Sequence, residues 1–289
     1  MRKLQSALVA MVVVLGAMTT FSASSHASTN TPACGVAGAP PHYRHVVWIV
    51  LENVGYQVVG STQAPFLNGV ARACGLATND HAVAHPSLPN YLALVAGSTL
   101  GVRDDNEPSQ HHLRAPSLFT QLRGNWRAYA ESMPTSCDTV TSGTYAARHN
   151  PAVYFTNLRA SCARRDVAMP AHLTLSAAFT FIAPNVCDDM HSCSIATGDA
   201  WLARVVPAIE ASPEYRAHTL ALFITMDESD SSASNQVPTY VIAPSVPRGR
   251  RVATYFTHYS LLATTEQLLG VTRLAHARGA TTFIAGFHL

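Results

Sequence analysis

Short runs of apolar residues alternate along the chain with stretches in which apolar positions recur at helical spacing. The runs are rich in β-branched and aromatic residues and apolar throughout, which is typical of strands covered on both faces. Four runs predict strands and a fifth is a weaker candidate: residues 46–51, 179–183, 220–226 and 239–243, and residues 127–131. Helices are predicted over residues 90–97, 199–211 with Asp199 as N-cap, and 259–270. Strands alternating with helices predict an α/β fold with a largely parallel central sheet and helices on both faces.

The N-terminus has the pattern of a secretory signal. Arg2 and Lys3 precede an apolar stretch, and residues 25–27, Ser-His-Ala, form a small-x-small cleavage pattern. We therefore predict a signal peptide over residues 1–27 and a single catalytic domain over residues 28–289. An uncleaved anchor is the alternative, but the apolar stretch is shorter than the ~20 residues that span a bilayer. The expected location is secreted or periplasmic, with no stable membrane span.

Composition narrows the class of partner. The chain has 289 residues, of which 48% are hydrophobic and 12% charged, and its formal net charge is +2. This length supplies ample material for a buried core, which argues against disorder. Nucleic acid is not expected as a partner, because affinity for a phosphate backbone depends on clustered Lys and Arg. We expect a monomer.

All six cysteines follow the predicted signal peptide. They are Cys34, Cys74, Cys137, Cys162, Cys187 and Cys193. An even number of cysteines in an exported chain predicts disulfides. Sequential pairing is favoured because Cys187 and Cys193 are close enough to close a small loop. A zinc site from Cys187, His191 and Cys193 is the alternative, although it lacks Cys-x-x-Cys spacing.

Polar side chains follow three of the predicted strands at the point where each strand ends. They are Glu52 and Asn53 after the first strand, Asn185, Asp188, Asp189 and His191 after the second, and Asp227, Glu228 and Asp230 after the third. Ligands collect at the carboxyl ends of strands in open α/β sheets. Each group taken alone fits an ordinary polar loop or a helix cap. Their convergence on one edge predicts a functional site.

Glu52, Asn53, Asp227 and Glu228 would gather three carboxylates and one amide oxygen. Carboxylates in a poorly solvated cleft repel one another strongly, and a divalent cation resolves that conflict. Oxygen ligation favours one hard ion, calcium, magnesium or manganese, with zinc or iron as alternatives if a histidine joins.

Ser87 lies between Pro86 and Pro89, just before an apolar helix. The prolines stiffen the turn, and the free N–H groups of a helix N-terminus favour an anion. Such a serine suits a nucleophile that attacks phosphate, provided that a base or a metal activates it. The alternative is a serine N-cap at a Pro-rich turn. The chain has no Gly-x-Ser-x-Gly elbow, which argues against a serine lipase.

Seven segments add a resemblance to a known family. They are residues 52–56, 85–99, 126–134, 145–151, 181–202, 225–230 and 258–270. In unchanged order they resemble motifs of the bacterial phosphoesterase family, which includes secreted acid phosphatases and phospholipases C. The similarity is closest to the short secreted acid phosphatases.

The resemblance implies an alkaline-phosphatase-like fold and a metal-dependent phosphate hydrolase. Glu52, Asn53, Asp227 and Glu228 would hold the metal, with Ser87 as nucleophile and further ligand. The remaining family positions are Asn90 beside the bound phosphate, His149, His191 and His258 as phosphate contacts or proton donors, and Asp189 as the residue that orients one of these histidines. His191 and His258 are the favoured general acids.

The expected activity is that of an acid phosphatase that forms a phosphoserine intermediate. Histidines that must be charged would favour mildly acidic pH, since an unperturbed imidazole titrates near ~6.5. The substrate would be a phosphomonoester, either a small molecule or a phosphoinositide headgroup. One alternative is a phosphodiesterase or phospholipase C of the same fold, which the short segment after Gly270 disfavours. The other is a non-catalytic secreted protein that binds an anion.

Overall fold

A mixed sheet organises the computed structural model, which describes residues 34–36, 42–230 and 234–289. Within that part of the chain the sheet has nine strands: β1 (His45–Leu51), β2 (Gly75–His81), β3 (Trp126–Ala130), β4 (Asp166–Ala168), β5 (Phe179–Ala183), β6 (Leu220–Met226), β7 (Gln236–Ile242), β8 (Arg250–Val252) and β9 (Phe256–Thr257). Their order is β4-β3-β5-β1-β6-β7-β2-β8, and β9 pairs with β2. Strand β7 runs antiparallel to β6 and β2, and the other pairings are parallel. The predicted α/β class with a largely parallel sheet is confirmed.

Helices cover the sheet. In the described ranges they are α1 (Pro65–Ala73), α2 (Ser87–Ala96), α3 (Leu118–Gln121), α4 (Arg159–Arg165), α5 (Ile195–Glu210), α6 (Pro213–Arg216), α7 (His258–Leu268) and α8 (Ile284–Phe287). Helix α2 packs against α7, and α1 packs against α5. Successive side chains of a strand point to opposite faces, and every residue of β6 is buried, so both faces of the central strands are covered. Among the described helices, none has the length and hydropathy needed to cross a bilayer.

The strands with continuous apolar sequence match the prediction best. Strands β5 and β6 have the predicted bounds, and β1 begins one residue earlier than predicted. Strand β3 is displaced by one residue, and β7 begins earlier, at Gln236. Strand β2 was not predicted, because its sequence Gly-Leu-Ala-Thr-Asn-Asp-His lacks a continuous apolar run.

Asp199 has a different role from the predicted one. Helix α5 begins at Ile195, and the side chain of Ser194 caps it by accepting a hydrogen bond from the backbone N–H of Thr197. Asp199 therefore lies inside the helix, and its carboxylate accepts hydrogen bonds from the backbone N–H groups of Phe66 and Leu67, both at 2.9 Å. The prediction of Asp199 as N-cap of its own helix is wrong. Its carboxylate caps the N-terminus of α1 instead.

Three disulfides join the cysteines in sequential order. The pairs are Cys34–Cys74, Cys137–Cys162 and Cys187–Cys193. The predicted pairing is confirmed, and the bond between Cys187 and Cys193 removes the thiolates that the alternative zinc site would need. The predicted signal peptide, residues 1–27, lies outside the described residues.

Candidate active site

Strands β1 and β6 bring Glu52 and Asp227 together at one edge of the sheet. The two strands pair in parallel with Leu51 opposite Met226, so that Glu52 and Asp227 are the next residues on neighbouring strands. The backbone N–H of Asp227 donates to the Leu51 carbonyl at 2.9 Å. The backbone N–H of Asn53 donates to Asp227 Oδ1 at 3.1 Å. Two of the predicted polar groups thus converge at the carboxyl ends of the strands.

Ser87 is the first residue of α2, and its side chain meets two carboxylates. Ser87 Oγ lies 3.2 Å from Glu52 Oε2 and 3.1 Å from Glu228 Oε1. The residue is only 3% exposed. A hydroxyl has one proton to donate, so it can serve only one of these carboxylates at a time. The structure therefore brings Ser87 into direct contact with Glu52 and Glu228, residues from two other segments.

Asn90 holds the turn that precedes Ser87. Its Oδ1 atom accepts from the backbone N–H groups of Val83 and Ala84 at 3.0 and 2.9 Å. Its Nδ2 atom donates to the carbonyls of Ala84 and Pro86 at 2.9 and 3.2 Å. Both amide hydrogens are engaged. These bonds tie Asn90 to the backbone that leads into Ser87, and its contact with phosphate stays a prediction.

His149 lies between two carboxylates in the core. Its Nε2 atom is 2.8 Å from Glu52 Oε1, and its Nδ1 atom is 3.0 Å from Asp189 Oδ2. Its ring stacks on that of Tyr91, with 5.3 Å between the ring centres. Burial lowers the pKa of His149, but the charge of Glu52 and the hydrogen bonds with Asp189 and Glu52 outweigh burial and raise it to about 9. Both ring nitrogens face carboxylate oxygens at 3.0 Å or less, and the phosphate contact of His149 stays a prediction. His149 orients Glu52, and Asp189 orients His149.

The carboxylates of the site carry opposing pKa shifts. Burial raises the pKa of Asp227 well above its ordinary value, and the charges of Glu52 and Glu228 raise it further. Burial also raises the pKa of Glu228, against the effect of the nearby His85. For Glu52, burial acts in the same direction, but the charge and hydrogen bond of His149 lower its pKa to about 2. The unfavourable environment of Asp227 arises from packing carboxylates together out of water.

The oxygen atoms around Asp227 form a set of ligands that suits a divalent cation. Asp227 Oδ2 is buried and has no hydrogen-bond partner among the described residues. An anionic oxygen without a partner is costly to bury unless an ion or a donor meets it. The nearby oxygen donors are the carboxylates of Glu52 and Glu228 and the hydroxyl of Ser87, ligands of the kind that hard divalent ions prefer.

His258 is buried beneath Asp227. Its Nε2 atom lies 2.5 Å from the backbone carbonyl of Asp227, and the residue is 1% exposed. Burial lowers the pKa of His258 to about 4, against the effect of that hydrogen bond. A neutral imidazole that donates to a backbone carbonyl supports the loop of Asp227. The general-acid role of His258 stays a prediction.

His191 lies at the surface of the site, in the loop that the disulfide Cys187–Cys193 closes. Its Nδ1 atom is 3.0 Å from Ser192 Oγ, and its ring centre is 6.2 Å from that of His149. Its exposure suits a group that meets solvent or a leaving group.

Two residues in contact with the site were not predicted as members of it. His85 contacts Glu228 Oε2 through Nδ1, and its side chain is 43% exposed. Arg148 Nη2 lies 3.4 Å from His191 Nε2. Each stands beside a predicted residue, His85 two positions before Ser87 and Arg148 one before His149. Their position in the sequence, next to predicted site residues, is the feature from which both could have been predicted.

Solved structures of the alkaline phosphatase superfamily share this fold. A member from Vibrio parahaemolyticus superposes with a TM-score of 0.58 at 12% sequence identity, covering 84% of this chain and 69% of that one. The lipoteichoic acid synthase LtaP from Listeria monocytogenes gives a TM-score of 0.57 at 10% identity, covering 86% of this chain and 80% of that one. The predicted alkaline-phosphatase-like fold is confirmed.

Sequence comparison adds the family. Residues 55–272 match the Phosphoesterase family. A phosphatidylinositol-3-phosphatase of Mycobacterium tuberculosis is 35% identical over 257 residues, covering 86% of this chain and 85% of that protein. A phosphate-repressible acid phosphatase of Penicillium chrysogenum is 26% identical over 275 residues, covering 84% of this chain and 63% of that protein.

The chain belongs to the Phosphoesterase family. The predicted class of enzyme, a hydrolase acting on phosphoric ester bonds, is confirmed. The alternative of a non-catalytic anion-binding protein is accordingly set aside.

Proposed function

We propose that the protein is an exported, metal-dependent acid phosphatase in which Ser87 is the nucleophile. The observation that carries this proposal is the position of Ser87 Oγ, 3.2 Å from Glu52 and 3.1 Å from Glu228 at the start of α2. A buried hydroxyl beside acidic oxygens and at a helix N-terminus suits attack on a phosphate group.

Glu52, Asn53, Asp227 and Glu228 would hold one divalent metal, with Ser87 Oγ as a further ligand. A cation bound there supplies positive charge that offsets the carboxylates and the phosphate and lowers the pKa of a neighbouring hydroxyl. The oxygen donors favour calcium, magnesium or manganese over zinc or iron.

The proposed reaction has two steps, and Ser87 is the nucleophile in the first. Ser87 Oγ forms a bond to phosphorus as the bond to the alcohol oxygen breaks, and water then cleaves the phosphoserine to release inorganic phosphate. Glu228 Oε1 lies in position to accept the hydroxyl proton, and its Oε2 contacts the exposed His85, which offers that proton a route to solvent.

Three histidines have separate roles in this proposal. His149 holds the side chain of Glu52, and His258 holds the backbone carbonyl of Asp227. We assign protonation of the leaving alcohol to the exposed His191, whose Nε2 would carry that proton in place of its contact with Arg148 Nη2.

The substrate that we propose is a phosphomonoester. The relative named for phosphatidylinositol-3-phosphate hydrolysis makes a phosphoinositide headgroup one substrate to test, beside small phosphomonoesters.

The decisive experiment measures phosphate release from p-nitrophenyl phosphate by the protein lacking residues 1–27. Chelation should abolish release, and adding back calcium, magnesium or manganese should restore it. Mass spectrometry of acid-quenched wild-type enzyme should also find phosphate on the peptide that contains Ser87. Ser87→Ala should lose both phosphate release and this phosphopeptide, whereas Ser136→Ala, a change at an exposed serine, should retain both. Full activity in a verified metal-free sample, or in Ser87→Ala, would contradict the proposal. Cleavage of a diester without release of inorganic phosphate would identify a phosphodiesterase instead.

A further inference from the structure

Arg148 brings a guanidinium group to the rim of the proposed active site. It directly precedes His149, whose ring is held by Glu52 and Asp189. The backbone of Arg148 is therefore fixed relative to the carboxylate cluster. Its side chain is 21% exposed, so the group is partly shielded but still reaches solvent.

Most of the hydrogen-bonding capacity of Arg148 is available. A guanidinium has five N–H donors. Among the described residues, its polar side-chain partners are His191 Nε2, 3.4 Å from Nη2, and Asp105 Oδ2, 3.9 Å from Nε. The second distance exceeds hydrogen-bond length, so Asp105 acts on Arg148 through charge. Several donors can thus serve a ligand.

Asp105 joins this cation to the helix of the nucleophile. Its Oδ1 atom accepts a hydrogen bond from the backbone N–H of Leu88 at 2.9 Å, in the first turn of α2. Leu88 is the residue after Ser87. One carboxylate therefore fixes the start of the helix through one oxygen and faces Arg148 through the other. Asp105 thus lies between the guanidinium and the first turn of α2, and the charge of Arg148 also acts on Glu52, where it lowers the pKa.

Two of the polar groups expected to meet phosphate, Asn90 and His149, already have partners. Asn90 uses both amide hydrogens on backbone carbonyls, and His149 uses both ring nitrogens on carboxylates. A phosphate that approaches Ser87 also meets the negative charges of Glu52 and Glu228, which repel it. Arg148 offers a fixed positive charge and a planar pair of donors that match two oxygens of a phosphate group.

We propose that Arg148, oriented by Asp105, binds the non-bridging oxygens of the phosphoryl group and makes the enzyme prefer phosphomonoesters over phosphodiesters. This inference rests on the proposed function. A monoester above pH ~6 is a dianion with three non-bridging oxygens, whereas a diester is a monoanion with two. A guanidinium aimed at these oxygens gains more from the monoester.

The first test compares Arg148→Gln and Arg148→Lys with Arg114→Gln, a matched change at an exposed arginine. At about pH 7 we expect Arg148→Gln to lower kcat/KM for p-nitrophenyl phosphate roughly 10- to 100-fold, the effect of losing a charge-assisted hydrogen bond. The effect on bis-p-nitrophenyl phosphate should be clearly smaller, and Arg148→Lys should lie between Arg148→Gln and wild type. Equal losses on both esters, or an Arg148→Gln variant that matches Arg114→Gln, would overturn the proposal.

The second test separates orientation of Arg148 from support of the helix. Asn at position 105 can still accept from the Leu88 N–H, but it has no charge for Arg148. Asp105→Asn should therefore reduce the preference for the monoester, and it should have no further effect on that preference when Arg148→Gln is already present. Additive effects of the two changes would refute the positioning role of Asp105.

A third measurement does not depend on turnover. Calorimetry with inorganic phosphate on the metal-loaded protein should give roughly 10-fold weaker binding for Arg148→Gln than for wild type, with equal melting temperatures. If wild type hydrolyses no ester but this difference is observed, the proposed function fails and the role of Arg148 in binding phosphate stands. Equal phosphate affinities would overturn the role of Arg148 even if the protein is an active phosphatase.

Discussion

His149 Nδ1 lies 3.0 Å from Asp189 Oδ2, and both side chains are almost completely buried. Asp189 also reaches the site through its backbone, because its carbonyl accepts from the N–H of Glu52 at 2.9 Å. One residue of the β5–α5 connection thus supports Glu52 both through the backbone and through the ring of His149.

Asp189→Asn should weaken metal binding without removing a proposed ligand. The substitution removes the charge that holds His149, and changes in residues that orient metal ligands typically cost about 10- to 100-fold in affinity. Unfolding free energy should fall by roughly 1–3 kcal/mol, because a buried polar pair is disturbed. Metal titration and urea unfolding measure the two effects, with Asp138→Asn as the control. Unchanged metal affinity would contradict the orienting role of Asp189.

Asp199→Ala should destabilise the fold and leave the chemistry of folded molecules intact. The carboxylate caps α1 by accepting from the N–H groups of Phe66 and Leu67. Losing a buried cap should cost about 1–3 kcal/mol in unfolding free energy. Urea unfolding and kcat, the latter per correctly folded molecule, provide the check. A large fall in kcat with unchanged unfolding free energy would contradict the capping role of Asp199.

Asp166→Asn should flatten the dependence of stability on pH. Burial raises the pKa of Asp166 to about 7 from an ordinary value of 3.8, against the hydrogen bond from Asn150. The folded state therefore holds a proton that the unfolded state has lost between these two values. Stability consequently falls as the pH rises through that window, by up to about 1.4 kcal/mol per pH unit. Asparagine binds no proton there. Unfolding free energies from about pH 4 to about pH 8 should diverge between wild type and variant, and parallel curves would disprove this account.

Removing the disulfide Cys187–Cys193 should affect activity more than stability. This bond closes a loop with a sequence separation of 6 that contains Asp189 and His191. Chain-entropy reasoning gives a cost of about 2 kcal/mol for so short a loop. The pair Cys34–Cys74, with a separation of 40, provides the comparison. Replacing that pair by alanine should cost more stability, about 4 kcal/mol, and should spare kcat. Equal effects on kcat would show that the short loop does not position the site.

The sequence predicted most reliably those elements whose local pattern carries the information. Strand β6 is apolar along its whole length and was predicted with the observed bounds, because burial on both faces requires that composition. Strand β2 contains Thr78, Asn79 and Asp80, which read locally as a polar loop. Tertiary contacts supply what the pattern lacks, since Asp80 accepts a hydrogen bond from Thr239 of β7 at 2.6 Å.

The same distinction applies to the site. Glu52 and Asp227 could be anticipated because each directly follows a predicted strand, and parallel strands end at a common edge. The separate roles of His149, His191 and His258 could not be anticipated, since each depends on partners distant in sequence. Asp189, for example, contacts His149 across 40 positions. The burial of His258 beneath Asp227 likewise depends on how α7 packs.

The cap that Asp199 provides for α1 also bears on the order in which the chain can acquire its structure. The hydrogen bond to Leu67 joins residues separated by 132 positions. Because the ribosome synthesises a chain from its N-terminus, α1 is made before Asp199. The leading amides of α1 must therefore rely on water until the segment carrying Asp199 has been synthesised. The cap of α1 is therefore completed only after residue 199 has been added, although α1 lies early among the described residues.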